Sequence, residues 1–233
     1  MKYKLKHHQV IASALHNFNS LFFCKNHIIF GGGTRIAMDI DEYRASVDID
    51  FLCPDMAAYR AVREQINNVS LGGLVNKDFV YKREIMADRY AVRTLIEYKT
   101  TLIKLEFVSF DNYQLTWLKD PKVFPVPFLD QASCFYTKLL ANSDRGFEYP
   151  YKDIFDLIAM RKQWGPIPTE SIELAGKHYG KATVMNSLKT ALENVINNPD
   201  KYLSCASDLS INQAWADAIV KYAGVLLKEV PTV

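Results

Sequence analysis

Long hydrophobic runs are missing from this sequence of 233 residues. No apolar stretch approaches the roughly 20 residues a membrane-spanning helix needs, so no membrane role is expected. Residues 1–8 are basic, and the short apolar stretch behind them, residues 10–15, is broken by His16 and Asn17. That pattern reads as an amphipathic helix, not a signal peptide. Cysteine is scarce: Cys24, Cys53, Cys134 and Cys205 lie far apart and form no CxxC pair. A zinc site or disulfide framework is not expected, and reduced thiols in a cytoplasmic setting are. Charge of one sign is missing too. With 28 basic and 26 acidic residues the net charge is only +2. Bulk charge therefore says nothing about nucleic acid, although a local basic groove stays open, because phosphate binding depends on where charges sit. No internal repeat or low-complexity tract is present.

What is there belongs to an ordinary globular chain. Hydrophobic residues make up 49% and charged residues 23%, which argues against disorder. The length fits one large domain or two small ones and can bury a core without staples. Periodicity predicts a helix over residues 7–18, a short buried strand over 27–30 and a sharp break at Gly31-Gly32-Gly33, then a helix from Thr34 to about residue 40. A second strand is expected over 47–52, stopped by Pro54, and a helix over 55–69 ending before Gly72-Gly73. Strand-like runs follow at 79–85, 90–98 and 101–110, the last two joined by a Lys99-Thr100 turn. The proline-rich residues 121–127 connect to helical patterning over 130–142, 152–164 and on to residue 228. The expected architecture is α+β: a small mixed sheet with flanking helices over 1–120, followed by an all-helical region over 121–233.

Three features carry candidate chemistry. At Phe30-Gly-Gly-Gly-Thr-Arg35 a strand runs through glycines into a helix. Glycines allow close backbone approach, and free N–H groups at a helix start favour an anion. Such a turn alone is more often just a tight turn. At Ser46-Val-Asp48-Ile-Asp50-Phe51, strand alternation puts Asp48 and Asp50 on one face, with Val47, Ile49 and Phe51 facing the core. Two carboxylates about 7 Å apart repel each other, and a divalent cation such as Mg²⁺ resolves that. A solvated edge strand carrying two harmless acids accounts for the pattern about as well. Glu106, inside the apolar run of residues 101–108, reads either as a third metal-binding carboxylate or as the partner of Lys104 in a surface pair. Asp48 follows Thr34 by fourteen positions, enough for one short helix and a loop. The glycine turn and the carboxylates would then meet at adjacent strand ends, as binding a triphosphate requires.

Gly32-Gly33-Thr34-Arg35, followed by Tyr43-Arg44-Ala45-Ser46-Val47-Asp48-Ile49-Asp50-Phe51, resembles the AbiEii/AbiGii nucleotidyltransferase toxin family of the DNA polymerase β-like superfamily. Lys138, Arg145 and Lys152-Asp153-Ile154-Phe155-Asp156-Leu157 are similar to its downstream motifs. The resemblance spans roughly residues 28–160. It implies a Mg²⁺-dependent enzyme that transfers a nucleotide from a nucleoside triphosphate, with RNA, notably the 3′ end of tRNA, as acceptor and an antitoxin protein as partner. It assigns Gly32, Gly33, Thr34, Arg35, Ser46, Arg145 and Asp156 to the nucleotide and Asp48 and Asp50 to metal, with Glu106 assisting. Lys138 would contact phosphate. Asp153 or Asp156 would complete the site, or support Lys138 and Arg145. Lys152 stands where the family usually has Arg, which removes a bidentate fork, and the interval from Arg145 to Lys152 is slightly long.

The same motifs serve a nucleotidyltransferase acting on a small molecule or a protein side chain. A non-catalytic relic fits less well, because Asp48, Asp50 and Lys138 are all intact. His7-His8 reads as a solvated pair, Cys53 as packed rather than reactive, and Phe22-Phe23 and Phe135-Tyr136 as core. Tyr149 and Tyr151, beside Arg145 and Lys152, read as a packing cluster more readily than as a base-stacking surface. Lys82, Arg83, Arg89 and Arg93 form either one basic strand face or a solvated surface.

Overall fold

The computed structural model describes residues 3–146 and 148–230. Two compact units are present: a sheet unit of residues up to Arg35 with Ser46–Asp130, and a helical unit of Ile36–Ala45 with the residues from Gln131 onward. The architecture is α+β, a mixed sheet with flanking helices and a helical C-terminal region.

The sheet unit begins with α1 (Lys6–Leu15) and α2 (Ser20–Lys25), then β1 (Ile29–Gly31) leads into α3 (Gly32–Asp39). β2 (Asp48–Cys53) and α4 (Met56–Arg63) follow, then β3 (Val80–Tyr81), β4 (Met86–Ala87), β5 (Ala91–Tyr98), β6 (Thr101–Ser109), β7 (Trp117–Leu118) and β8 (Phe128–Leu129). The strand order is β3-β5-β6-β2-β1-β8-β7, with β4 also on β5. β2 lies at the middle, antiparallel to β1 and parallel to β6.

The alternation of β2 sets the core. Ile49, Phe51 and Cys53 are fully buried. Phe51 stacks on Phe107 at 5.1 Å and meets Phe23 and Phe18 edge-on at 4.7 and 4.8 Å. Such pairs add to the burial of their large apolar area. Asp48 and Asp50 are half-buried on the opposite face. Val47, expected in the core, is 40% exposed, because the strand begins one residue after it.

Three further expectations are corrected. The helix expected over 55–69 is capped by Asp55, whose Oδ1 accepts from Ala58 N at 2.8 Å, but it ends at Arg63. Beyond that end Asn67 holds a turn: its Oδ1 accepts from the backbone N–H of both Val69 and Ser70 at 2.9 Å, local bonds that keep those residues out of the helix. The strand expected over 79–85 shrinks to β3, because Ile85 N turns to the carbonyl of Asn68. His8 is fully buried, edge-on to Tyr3, rather than solvated. The β5–β6 hairpin forms as expected, with Lys99 and Thr100 at φ 48° and 64°, the two left-handed residues of a tight hairpin turn.

The helical unit contains α5 (Gln131–Arg145), α6 (Lys152–Trp164), α7 (Thr169–Tyr179), α8 (Lys181–Asn197), α9 (Pro199–Asp208) and α10 (Gln213–Glu229). α6 is its central helix, with residues 153–160 all buried. Asp153 and Asp156 lie in that run, and buried carboxylates require partners. Among the described residues no helix is long and apolar enough to cross a membrane.

Candidate active site

In the sheet unit, the outer face of β2 carries Asp48 and Asp50, and the parallel register places Lys104 beside Asp48 and Glu106 beside Asp50. Antiparallel pairing adds Gly31 on the other side of Asp50 and Arg93 beyond Glu106. One row across four strands therefore reads Arg93, Glu106, Asp50, Gly31.

The glycine turn closes on this row. Gly31 ends β1, and Gly32 and Gly33 are the first two residues of α3. Gly32 sits at φ +68°, and a Cβ there would overlap the Asp50 carboxylate, 2.9 Å from Asp50 Cβ and Cγ. Only glycine lets the helix start lie this close to the acid. Thr34 is buried, and its hydroxyl lies 2.7 Å from that of Ser46. The bond ties the first turn of α3 to the residues entering β2. Arg35 is 2% exposed; its Nε donates to the Leu129 carbonyl at 2.9 Å and its guanidinium lies 5.4 Å from the Phe128 ring.

The donor set suits a hard divalent cation. Two carboxylates stand on one face of one strand, beside a helix start cleared of side chain by Gly32. Glu106 is otherwise engaged: Oε1 accepts from Arg93 Nε at 3.0 Å and Oε2 lies 2.9 Å from Lys104 Nζ. Among the described residues no group of three or more His, Cys, Asp or Glu side chains is gathered to hold a metal.

In the helical unit the remaining candidates form one ion network. Lys138 Nζ lies 2.7 Å from Asp153 Oδ1 and 2.5 Å from Asp156 Oδ2. Arg145, 55% exposed, holds Asp153 through Nε at 2.7 Å. Asp156 is fully buried and also takes a bidentate contact from Arg44, Nε to Oδ1 at 2.8 Å and Nη2 to Oδ2 at 3.1 Å, plus the Tyr43 hydroxyl. Burial alone would push both carboxyls up. The cations win, with Lys138 then Arg145 holding Asp153, and Arg44 then Lys138 holding Asp156, below the usual range. Lys138 is raised despite its burial, because two carboxylates face it. Burial and the adjacent Asp156 push the Tyr43 phenol well up, so it stays a neutral donor.

Arg44 and Tyr43 are the residues sequence reasoning passed over as site members. Arg44 stands four residues before Asp48 inside the motif, but nothing local reveals a partner 112 residues away. Tyr149 is 64% exposed with its hydroxyl donating to Asp208, while Tyr151 packs at 4.9 Å against Tyr202.

The model of a family described as "Nucleotidyl transferase AbiEii toxin, Type IV TA system" matches residues 13–229. No curated protein matches the chain. Among solved structures, a candidate nucleotidyltransferase from Helicobacter pylori superposes with a TM-score of 0.56 at 16% identity, over 96% of this chain and 94% of that one. JHP933, also from Helicobacter pylori, superposes with a TM-score of 0.53 at 15% identity, over 98% and 94%. At such identities these two likenesses speak for the fold alone.

Proposed function

The chain belongs to the AbiEii nucleotidyltransferase toxin family, and we propose that it transfers a nucleoside monophosphate from a nucleoside triphosphate to the 3′ end of an RNA, tRNA in particular. The observation that carries the reading is the close approach of the Asp50 carboxylate to the α3 start, which Gly32 alone permits. Asp48 and Asp50 hold Mg²⁺, and Gly33 and the first turn of α3 receive triphosphate oxygens. When bound, the metal makes the attacking hydroxyl more acidic and neutralises charge on the leaving pyrophosphate. The acceptor oxygen bonds to the α-phosphorus, the bond to the β-phosphate bridge breaks, pyrophosphate leaves and the hydroxyl proton passes to solvent.

Within the ion network of the helical unit Arg145 is the exposed cation and offers a phosphate contact. Lys138, buried between two acids, fixes Asp153 and Asp156. Asp153 holds the exposed Arg145, and Asp156 pairs inside the unit with Arg44 and Lys138. Family membership places the enzyme in a toxin–antitoxin setting. An antitoxin protein as partner and a cytoplasmic location complete the proposal.

The test is incubation of the purified chain with Mg²⁺, each α-labelled ribonucleoside triphosphate in turn, and total RNA. Label in RNA, absent with Asp48→Ala, supports the reading and names the nucleotide. Triphosphate binding without RNA label moves the acceptor to a small molecule or protein. No triphosphate binding at all overturns the enzyme assignment.

A further inference from the structure

Glu106 is placed to join Asp48 and Asp50, yet each of its oxygens already has a cation. Its Cα is the register partner of Asp50 on a parallel neighbour, and neighbouring strands lie about 4.8 Å apart. A rotamer change therefore separates the Glu106 carboxylate from the pair on β2. In the structure Oε1 faces Arg93 at 3.0 Å and Oε2 faces Lys104 at 2.9 Å. Arg93 is fixed from its far side by Asp88 at 2.8 Å. The acid is mostly covered, at 17% exposure, while Arg93 and Lys104 are 44% and 52% exposed.

That asymmetry is informative. Three carboxylates on one face repel each other before any cation arrives, and Arg93 and Lys104 relieve this by drawing one of them aside. Their solvent-facing sides remain open to a second anion. Ion pairs this exposed are weak, and guanidinium and ammonium groups bind phosphate oxygens readily.

We infer that Arg93 and Lys104 are positioning residues that hold Glu106 out of the cation site of Asp48 and Asp50. A phosphate-bearing substrate that engages the two cations releases Glu106 to become the third carboxylate of that site. Cation binding and substrate binding are thereby coupled through one side chain. The inference rests on the metal-holding role proposed for Asp48 and Asp50.

The test uses the full chain, with Mn²⁺ as probe and no nucleotide, and reads affinity from the electron paramagnetic resonance signal of free Mn²⁺. None of the substituted side chains lies in the core, and thermal melts confirm that each variant folds. R93Q/K104Q is expected to bind Mn²⁺ about tenfold tighter than the natural chain. Adding E106Q to that pair removes about tenfold, whereas E106Q in the natural background changes affinity less than twofold. This non-additivity is the signature of a sequestered ligand. Loss of two positive charges alone would tighten Mn²⁺ binding by the same factor with or without Glu106, and equal factors overturn the inference. Asp48→Asn separates the two levels. If it abolishes Mn²⁺ binding, the metal site stands and the cycle reports on Glu106 alone. If it binds Mn²⁺ like the natural chain, the metal reading fails and the inference falls with it.

Discussion

Gly32 and the Asp50 carboxylate share one small volume: a Cβ on Gly32 would overlap the carboxylate and lie 2.9 Å from Asp50 Cβ and Cγ. The glycine is also at φ +68°, where an L side chain costs roughly 1–2 kcal/mol. Gly32→Ala should therefore displace Asp50 as well as strain the turn. The expected outcome is at least a tenfold loss of transfer rate, with a fall in Tm of several degrees, measured by steady-state label transfer and calorimetry.

Arg44 and Asp156 form a fully buried bidentate pair. Removing Asp156 strands the Arg44 charge, so Asp156→Leu should cost about 3–5 kcal/mol in urea unfolding, whereas Arg44→Met leaves Asp156 with Lys138 and should cost less. The double variant R44M/D156L should be more stable than either single one. Costs that add would show that the pair is not the unit of stability.

The same network sets the acid limit of the helical unit. Asp153 and Asp156 are held below the ordinary carboxylate range once their cations outweigh burial. A depressed folded-state pKa adds stability that is present above the unfolded value, near 4, and is lost as pH falls below it. Lys138 is raised, so its contribution is present below the ordinary lysine range and is lost only in strongly alkaline solution. Stability between pH 5 and pH 2 should fall less steeply in Asp153→Asn than in the natural chain, as measured by denaturant midpoints across that range.

Thr100 occupies φ 64° in the β5–β6 turn, a position costly for a β-branched residue. Thr100→Gly should stabilise the chain by about 0.5–1 kcal/mol, after the entropy cost of glycine is counted. An unchanged or lowered Tm would mean that the threonine hydroxyl, which donates to the Lys99 carbonyl, outweighs the strain.

Sequence patterning reached the parts of this fold that depend on local periodicity. The two-residue alternation of β2 located Asp48 and Asp50, and the run over 152–164 matched α6 end to end. The Lys99-Thr100 turn was legible because strand-forming runs flank it. Local side-chain bonds were not: Asn67 holds residues 69 and 70 in a turn by capturing two N–H groups, and no periodicity signals that. Membership of residues 36–45 in the helical unit was equally hidden, since it depends on Arg44 and Tyr43 meeting Asp156, and on Tyr43 packing against Trp215 at 5.4 Å. Lys138, Asp153 and Asp156 were found by motif. Their mutual saturation was not, because helical spacing gives a face but no partner.

On the proposed function, Asp48 and Asp50 hold the metal at which nucleotide transfer takes place. The most direct measurement is the transfer rate of Asp48→Asn and Asp50→Asn beside the natural chain, with folding confirmed by thermal melts. Each substitution keeps size and removes charge. Losses of roughly a thousandfold are expected, with melting temperatures close to that of the natural chain. Transfer within tenfold of the natural rate in either folded variant would contradict it and place the chemistry elsewhere.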